Sequence, residues 1–320
     1  MSAFIGRRLL GFIPLLLGIS VVSYALMALA PGGAAGVLAG MSRQSSGADR
    51  QLMLHEFGLD RPWYVQYFYW LQNLLVHHSL GNSYVDGRPV VVKILEKLPV
   101  TLELIGLSLL FTLLFAIPLA IFSATHKNSI FDHVVTLFAF IGYGAPSFWV
   151  AIVLLELFSV QLRWLPAGGL SDIQSTHFDL GERIAHLVLP VATLTFVGMA
   201  SWMRFQRAAL IEVLGADYIR TAKAKGLSSR TVVLKHALRN ALLPVITLFG
   251  LFLPSLLAGA YFVETIYTIP GMGYLALNAV FERDYPTIMG TTMLSAVLVA
   301  TGSLIADVAY ALADPRIRYG

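Results

Sequence analysis

The fold is decided by residues 100–124, VTLELIGLSLLFTLLFAIPLAIFSA, in which Glu103 is the single charged residue in a run of 25. A helix needs about 20 consecutive apolar residues to cross the hydrocarbon core of a bilayer. Five further stretches have the same character, namely Leu9–Ala30, Val134–Val160, Leu187–Leu210, Leu242–Tyr267 and Ile288–Leu312. Together with Val100–Ala124 they predict an all-α membrane protein with six transmembrane helices.

The composition of the chain excludes most other classes of protein. Of its 320 residues, 57% are hydrophobic and 12% are charged, whereas soluble domains carry about 25% charged residues. A soluble enzyme or a nucleic-acid-binding module would lack the polar surface it needs. We therefore expect contact with membrane lipid and no nucleic-acid partner. The chain has no cysteine, which excludes disulfides, thiolate metal sites and cysteine nucleophiles.

Lysine and arginine predict which side of the membrane each segment occupies. They are concentrated in residues 204–239 and at the two ends of the chain, and cytoplasmic segments carry the excess of basic residues in membrane proteins. We therefore predict that both termini are cytoplasmic. The predicted organisation is a cytoplasmic N-terminus at 1–8, a first transmembrane helix at 9–30, an extracytoplasmic segment at 31–99, and a transmembrane core at 100–320 that includes a cytoplasmic loop at 211–241.

The first span also has features of a signal peptide. Arg7 and Arg8 precede it, and Ala28-Leu29-Ala30 at its end is of the A-x-A type that signal peptidase cleaves. Its apolar run of 22 residues exceeds the roughly 7–15 residues of a signal peptide's apolar region. The span is therefore predicted to be a retained helix.

Aromatic residues are concentrated in one part of the long extracytoplasmic segment. Residues 62–71 read PWYVQYFYWL, and Tyr64, Phe68, Leu71 and Leu75 recur at helical spacing. Because Trp and Tyr favour the membrane–water boundary, we predict a helix that lies on the outer surface or caps a pore mouth. It could serve as an interfacial anchor or dock an external partner.

The cytoplasmic loop is too long for a simple turn. Residues 216–225 predict a short helix, Gly226 lies where a left-handed residue ends it, and Ser228 is a natural N-cap for a second helix that continues into the fifth span. The result is a helix–turn–helix with small residues at its tip, which another protein could approach closely. The alternative is a basic anchor on anionic lipid.

Two parts of this loop carry a specific resemblance, DYIRTAKAKGL at 217–227 and HALRNALLP at 236–244. They resemble the cytoplasmic loop of permease subunits of binding-protein-dependent ABC importers, above all the first-permease type of the dipeptide and oligopeptide branch in the peptide/nickel family. Further matching pieces follow in the same order along nearly the whole chain, including residues 6–10, 58–62, 129–133, 146–149, 264–266, 284–286 and 314–320.

The resemblance implies the type I ABC importer permease fold and a multi-pass location in the bacterial inner membrane. It also implies three kinds of partner: a second homologous permease that completes a heterodimer, two cytoplasmic ABC ATPases, and an extracytoplasmic substrate-binding protein. The chain has no G-x-x-x-x-G-K-[ST] phosphate-binding loop. ATP and Mg²⁺ are therefore expected on the partner ATPases, with no cofactor, metal site or catalytic residue on this chain.

Two sets of site residues follow from the resemblance. ATPase coupling is assigned to Asp217, Tyr218, Arg220, Thr221, Ala222, Lys223, Ala224, Lys225, Gly226 and Leu227, with Ala222, Ala224 and Gly226 at the closest approach. Pore-lining or gating candidates are Pro146, Phe148, Trp149, Glu264 and Asp307.

The cargo is expected to be a dipeptide or oligopeptide, with nickel chelates, glutathione and oligosaccharides as alternatives. A secondary transporter is the alternative from another class, but the chain shows no inverted repeat and no midplane acid.

Overall fold

A computed structural model describes residues 2–30, 55, 58–172, 177–242 and 257–313. Over these ranges the regular elements are helices, and Asn82 and Pro89 form an isolated bridge. In chain order the helices are α1 (Ser2–Leu29), α2 (Trp63–Val76), α3 (Val90–Thr125), α4 (Ile130–Gly144), α5 (Ser147–Leu155) with a π-helical turn (Glu156–Gln161), α6 (Leu180–Leu214), α7 (Asp217–Ala224), α8 (229–241), α9 (Leu257–Ile266), α10 (Met272–Glu282) and α11 (Tyr285–Ala313).

Four of these helices are long and apolar enough to cross a membrane, namely α1, α3, α6 and α11. They contain the predicted spans at 100–124, 187–210 and 288–312, and nearly all of the one at 9–30. The helices extend past the apolar stretches: α3 has 36 residues and α6 has 35. These helices thus include polar residues at their ends, which a prediction from apolar length alone leaves out.

The third predicted span, Val134–Val160, is not a straight helix. It consists of α4 and α5, whose axes are bent by 106° at the break between them. Ala145 at the break is extended, with φ −82° and ψ 124°, because the ring of Pro146 disfavours a helical conformation in the residue before it. If the bent pair is one span, the structure has five spans within its described ranges.

Most of the fifth predicted span, Leu242–Tyr267, lies outside the described residues. Its last part is the ten-residue helix α9. Pro244, which the sequence places near the start of that span, is likewise outside the described residues.

The chain divides into two compact units. Unit 1 comprises Met1–Thr101 and Pro270–Ala300, and unit 2 comprises Leu102–Ile269 and Thr301–Gly320.

In unit 1, helix α2 packs against α1 and the start of α11. The buried cluster contains Tyr24, Met27, Leu59, Trp70, Tyr285, Met289 and Met293. Polar side chains join the same elements, since the Ser20 and Tyr67 hydroxyl oxygens lie 2.9 Å apart and the Tyr285 hydroxyl donates to the Met27 carbonyl at 3.2 Å. The predicted aromatic helix therefore exists, and one face of it is part of a hydrophobic core.

A buried carboxylate organises the polar part of unit 1. Asp284 is 1% exposed and accepts hydrogen bonds from the Ser83 hydroxyl at 2.5 Å, the Tyr84 backbone N–H at 2.9 Å and the Thr287 hydroxyl at 2.6 Å. The Lys93 ammonium lies 3.7 Å from it. Burial raises the pKa of the Tyr84 hydroxyl, so this side chain stays neutral beside the carboxylate.

In unit 2, α3 and α6 run parallel. Glu103, in the first half of α3, pairs with Arg183 in the first turn of α6, and Ser123 near the end of α3 accepts a hydrogen bond from Arg207 toward the end of α6. The chain between α3 and α6 includes the bent pair α4 and α5, which is either one broken span or a re-entrant loop.

Candidate coupling loop and pore residues

The candidate coupling loop is residues 211–241, and its tip has the predicted form. Helix α7 ends in a Schellman motif: the Leu227 N–H donates to the Ala222 carbonyl at 3.4 Å and the Gly226 N–H to the Lys223 carbonyl at 3.0 Å. Gly226 has φ +77°, the left-handed conformation that glycine adopts without a steric penalty. The helix end predicted from Gly226 is confirmed.

The second helix of the loop, α8, also begins where the sequence predicts. The Ser228 hydroxyl oxygen accepts a hydrogen bond from the Thr231 N–H at 3.3 Å, which is the usual N-cap contact. The helix then includes a π-helical segment, Val232–Ala237. Sequence spacing gave no sign of this segment.

One face of the loop is buried against the rest of unit 2. Ile219 is fully buried and Ala222 is 8% exposed, in a cluster that includes Leu210 and Trp202 of α6. From α8, the buried members are Val232, Ala237 and Ala241. A fully buried isoleucine contributes about 1.5–3 kcal/mol relative to an exposed one, so this cluster holds α7 firmly on the spans.

Two polar contacts strengthen the same attachment. The Asn240 amide donates to the Tyr218 hydroxyl at 3.0 Å, which ties α8 to α7. The Gln206 amide of α6 donates to the Ala241 carbonyl at 3.3 Å. The loop is therefore a compact helix pair with its own connections to a long apolar helix.

The opposite face of the loop is open. Tyr218, Leu227 and Leu234 are 45%, 41% and 45% exposed, although the loop is otherwise polar and basic. The other exposed members of the predicted coupling set are Asp217, Arg220, Thr221, Lys223, Ala224, Lys225 and Gly226. These side chains are accessible to a partner on this side of the loop.

Ala222 occupies a different position from the one expected at the closest approach to a partner. Its side chain faces the hydrophobic cluster below α7, because it lies three residues after Ile219 and so on the same helical face. Ala224 and Gly226 lie on the open side. The surface that a partner could reach therefore includes these two residues, and does not include Ala222.

The sequence did not predict a buried ion pair that lies next to the loop. The Arg207 guanidinium donates to both Asp132 carboxylate oxygens at 2.7 Å, and to the Ser123 hydroxyl at 2.9 Å. Asp132 is 3% exposed and also accepts the Asn128 N–H at 2.9 Å. A two-pronged arginine–carboxylate contact is rigid as well as strong. It fastens α3, α4 and α6 together below the loop.

The pore candidates at the helix break are partly accessible. Pro146 is the N-cap residue of α5, and Phe148 and Trp149 are 45% and 53% exposed. The Phe148 ring lies 6.2 Å from the Phe262 ring of α9, measured between centroids. These side chains are placed where a second subunit, lipid or cargo could contact them.

The two acidic pore candidates lie in different surroundings. Glu264 on α9 is fully buried, so in this conformation its side chain lines no open surface of unit 2. Asp307 on α11 is partly buried. Their assignment as gating residues stays a prediction.

Comparisons with known proteins cover the whole chain. A family model described as "Binding-protein-dependent transport system inner membrane component" matches residues 116–319, and one described as "Binding-prot-dependent transport system membrane comp, N-term" matches residues 1–105. The chain is 45% identical to the oligopeptide transport system permease protein AppB of Bacillus subtilis, over 100% of both chains. It is 39% identical to the di/tripeptide transport system permease protein DppB of Pseudomonas aeruginosa, and 37% identical to the dipeptide transport system permease protein DppB of Escherichia coli K12. Each of these two alignments covers 100% of this chain and 99% of the relative.

Proposed function

Because the chain belongs to the family of binding-protein-dependent transport system inner membrane components, we propose that it is one of two pore-forming subunits of an ATP-driven importer. In this proposal it has six transmembrane helices in the type I arrangement, with both termini in the cytoplasm. A second homologous permease completes the pore, two cytoplasmic ABC ATPases drive it, and an extracytoplasmic binding protein delivers the cargo.

The connections within unit 2 support the proposed sidedness of the loops. The Glu103–Arg183 pair joins the first half of α3 to the first turn of α6, beside segments predicted to be extracytoplasmic. The Asp132–Arg207 pair lies toward the other end of α6, beside the loop predicted to be cytoplasmic. These two pairs support the assignment of the segments near Glu103 and Arg183 to one side of the membrane and of the coupling loop to the other.

We propose dipeptides and oligopeptides as the cargo. The support is the similarity over the full chain to proteins whose names specify oligopeptide, di/tripeptide and dipeptide transport. Nickel chelates, glutathione and oligosaccharides are the alternatives. Uptake of a radiolabelled dipeptide into proteoliposomes that contain the complete complex tests the choice. Competition by unlabelled di- and tripeptides, and none by the alternatives, is the expected result; competition by glutathione alone would refute a peptide cargo.

The observation that carries the proposed mechanism is the two-sided structure of α7. Its buried face, with Ile219, lies in one hydrophobic cluster with Leu210 of α6 and Val232 of α8, and its open side, with Ala224 and with Leu227 just beyond the helix end, is available to an ATPase. Movement of an ATPase bound to the open face would shift α6 with it, since packed helices transmit strain. Rocking of the spans would then open the pore to each side in turn.

Ala224→Glu tests the coupling role, because it adds bulk and charge on the open face and leaves the buried face intact. ATPase subunits should no longer co-purify, and peptide uptake should fall. The matched control is Ala167→Glu, the same change at another exposed alanine of unit 2, on a segment proposed to be extracytoplasmic; it should retain the ATPases. If Ala224→Glu retains ATPases and transports like the unmodified complex, the loop is not the ATPase contact.

A further inference from the structure

Three potential metal ligands meet at the start of α6, on the segment proposed to be extracytoplasmic. They are Asp172, Glu182 and His186, and one ligand atom from each lies within 4.8 Å of the other two. All three belong to unit 2. None of them is among the candidate pore or coupling residues.

His186 has the arrangement of a metal ligand. The residue is 4% exposed, and its Nδ1 lies 2.8 Å from the Gly168 carbonyl oxygen. A carbonyl accepts only, so Nδ1 carries the proton and donates it. The second ring nitrogen, Nε2, is then the lone-pair nitrogen of the neutral ring. Metal-binding histidines are typically held in this way, with the other ring N–H on a carbonyl or carboxylate.

The Nε2 atom of His186 is buried and makes no hydrogen bond to any described residue. The Asp172 Oδ1 atom is 3.4 Å away without the geometry of a hydrogen bond. A buried nitrogen lone pair that faces a carboxylate at this distance is unfavourable, since both groups are acceptors. Either a proton or a metal ion between the two would relieve the conflict.

Glu182 completes the group from the same helix. It precedes His186 by four residues, so both side chains lie on one face of α6, one above the other. A Glu182 carboxylate oxygen accepts a hydrogen bond from the backbone N–H of Asp172, which holds this part of the loop against the helix. A carboxylate group has about four lone-pair sites on its two oxygens, so hydrogen bonds that it accepts are compatible with binding a cation.

The backbone that presents the site is fixed by close packing. Gly169 donates its N–H to the Tyr267 carbonyl at 2.8 Å, and a Cβ added at Gly168 would lie 2.3 Å from that oxygen. Tyr267 is itself fully buried, and its hydroxyl donates to the Ala151 carbonyl at 3.0 Å. The Gly168 carbonyl that orients His186 is therefore held in place.

We propose that His186, Glu182 and Asp172 form a binding site for a divalent transition-metal ion of the Zn²⁺ class. One imidazole nitrogen and two carboxylate oxygens are a common ligand set for Zn²⁺, with water at the open position. Ligands about 2.1 Å from the ion would be about 3.4 Å apart in tetrahedral geometry. The present separations, up to 4.8 Å, need a closure of about 1.4 Å at most. The exposed Asp172 side chain, 77% accessible, is free to make this movement.

A bound ion would join the loop that ends at Asp172 to the first turns of α6. It would replace the repulsive contact between His186 and Asp172 by three bonds to the metal ion. It would also rigidify the start of α6, the helix whose other end leads into the coupling loop.

The test is a Zn²⁺ titration of the complete complex, purified without a histidine tag and followed by competition with a chromogenic chelator. Asn can place its amide nitrogen where His has Nδ1, so His186→Asn should keep the bond to Gly168 and lose the metal nitrogen. This variant should bind Zn²⁺ at least about tenfold more weakly, since loss of even an outer-shell partner costs 10–100-fold.

Two further variants keep the test valid if His186→Asn folds poorly. Asp172→Asn changes an exposed side chain and should also weaken Zn²⁺ binding by about tenfold or more. The matched control His133→Asn alters an exposed histidine outside the group and should leave the affinity unchanged. The proposal is overturned if the unmodified complex binds no Zn²⁺ at micromolar concentration, or if the His186 and Asp172 variants bind it as tightly as the control.

Discussion

Gly226→Val should loosen the tip of the coupling loop by a predictable amount. A Cβ added at Gly226 would meet no atom within 4 Å, so the substitution causes no clash. The cost is therefore conformational: at φ +77° an L-residue is destabilised by about 1–2 kcal/mol, and a β-branched residue is among the least tolerant there. This corresponds to about a 5–30-fold change in the equilibrium between closed and open helix ends.

The opening equilibrium can be measured by hydrogen exchange at the Leu227 amide, which donates to the Ala222 carbonyl in the Schellman motif. Gly226→Asn is the matched control, because asparagine tolerates the left-handed conformation better than other residues. Exchange at Leu227 should accelerate about 5–30-fold in Gly226→Val and much less in Gly226→Asn, and ATPase retention should follow the same order. Equal exchange rates in the two variants would show that the left-handed backbone does not determine the order of this tip.

Four other changes have defined outcomes. Asp132→Asn should lower the thermal unfolding midpoint of the complex, because breaking a buried ion pair costs about 3–5 kcal/mol; an unchanged midpoint would refute its structural role. Gly290→Val should reduce the yield of folded chain in the membrane, since its Cβ would lie 2.5 Å from a valine of α3; a normal yield would mean that α11 can shift. A cysteine at Trp63, 43% exposed, should react with an impermeant thiol reagent added outside, whereas one at Trp70, 9% exposed, should be protected; equal labelling would contradict the packing of α2. A reporter that is active only in the cytoplasm should be silent after Gly169, and activity there would reverse the proposed orientation.

The helix ends of the coupling loop could be predicted because the signals that fix them are local. A glycine that adopts a left-handed conformation and a serine that caps a helix act within three or four residues. Gly226 and Ser228 therefore specify where α7 ends and where α8 begins, independently of how the two helices pack. The face of α7 that becomes buried depends instead on α6, which is why Ala222 was expected at the surface and lies in the core.

The bend between α4 and α5 shows the limit of apolar length as a signal. Residues 134–160 are long and apolar enough for one span, and hydropathy does not distinguish a straight helix from a broken one. Pro146 does carry the information, since it disfavours a helical residue before it. Its weight could not be judged from the sequence, because proline is tolerated within many transmembrane helices.

The polar groups missed by the sequence analysis depend on contacts between distant residues. Asp132 and Arg207 are 75 residues apart, and each separately has the properties of a charged residue at a membrane boundary. Likewise, Asp172 and His186 meet only because the loop before α6 folds back on Tyr267. Parallel helices make such meetings systematic, since Glu103 and Arg183 meet at one level of α3 and α6, and Ser123 and Arg207 meet at another.

The position of the Asp132–Arg207 pair bears directly on how force would pass through unit 2. The pair joins α3, α4 and α6 at the end of α6 against which the coupling loop packs, so a displacement of the loop would reach three helices together. A purely apolar contact would let these helices slide, whereas a two-pronged charged contact fixes their relative orientation. Asp132→Asn should therefore uncouple ATP hydrolysis from uptake in complexes that still retain their ATPases, measured as peptide transported per ATP hydrolysed. An unchanged ratio would mean that packing alone transmits the movement.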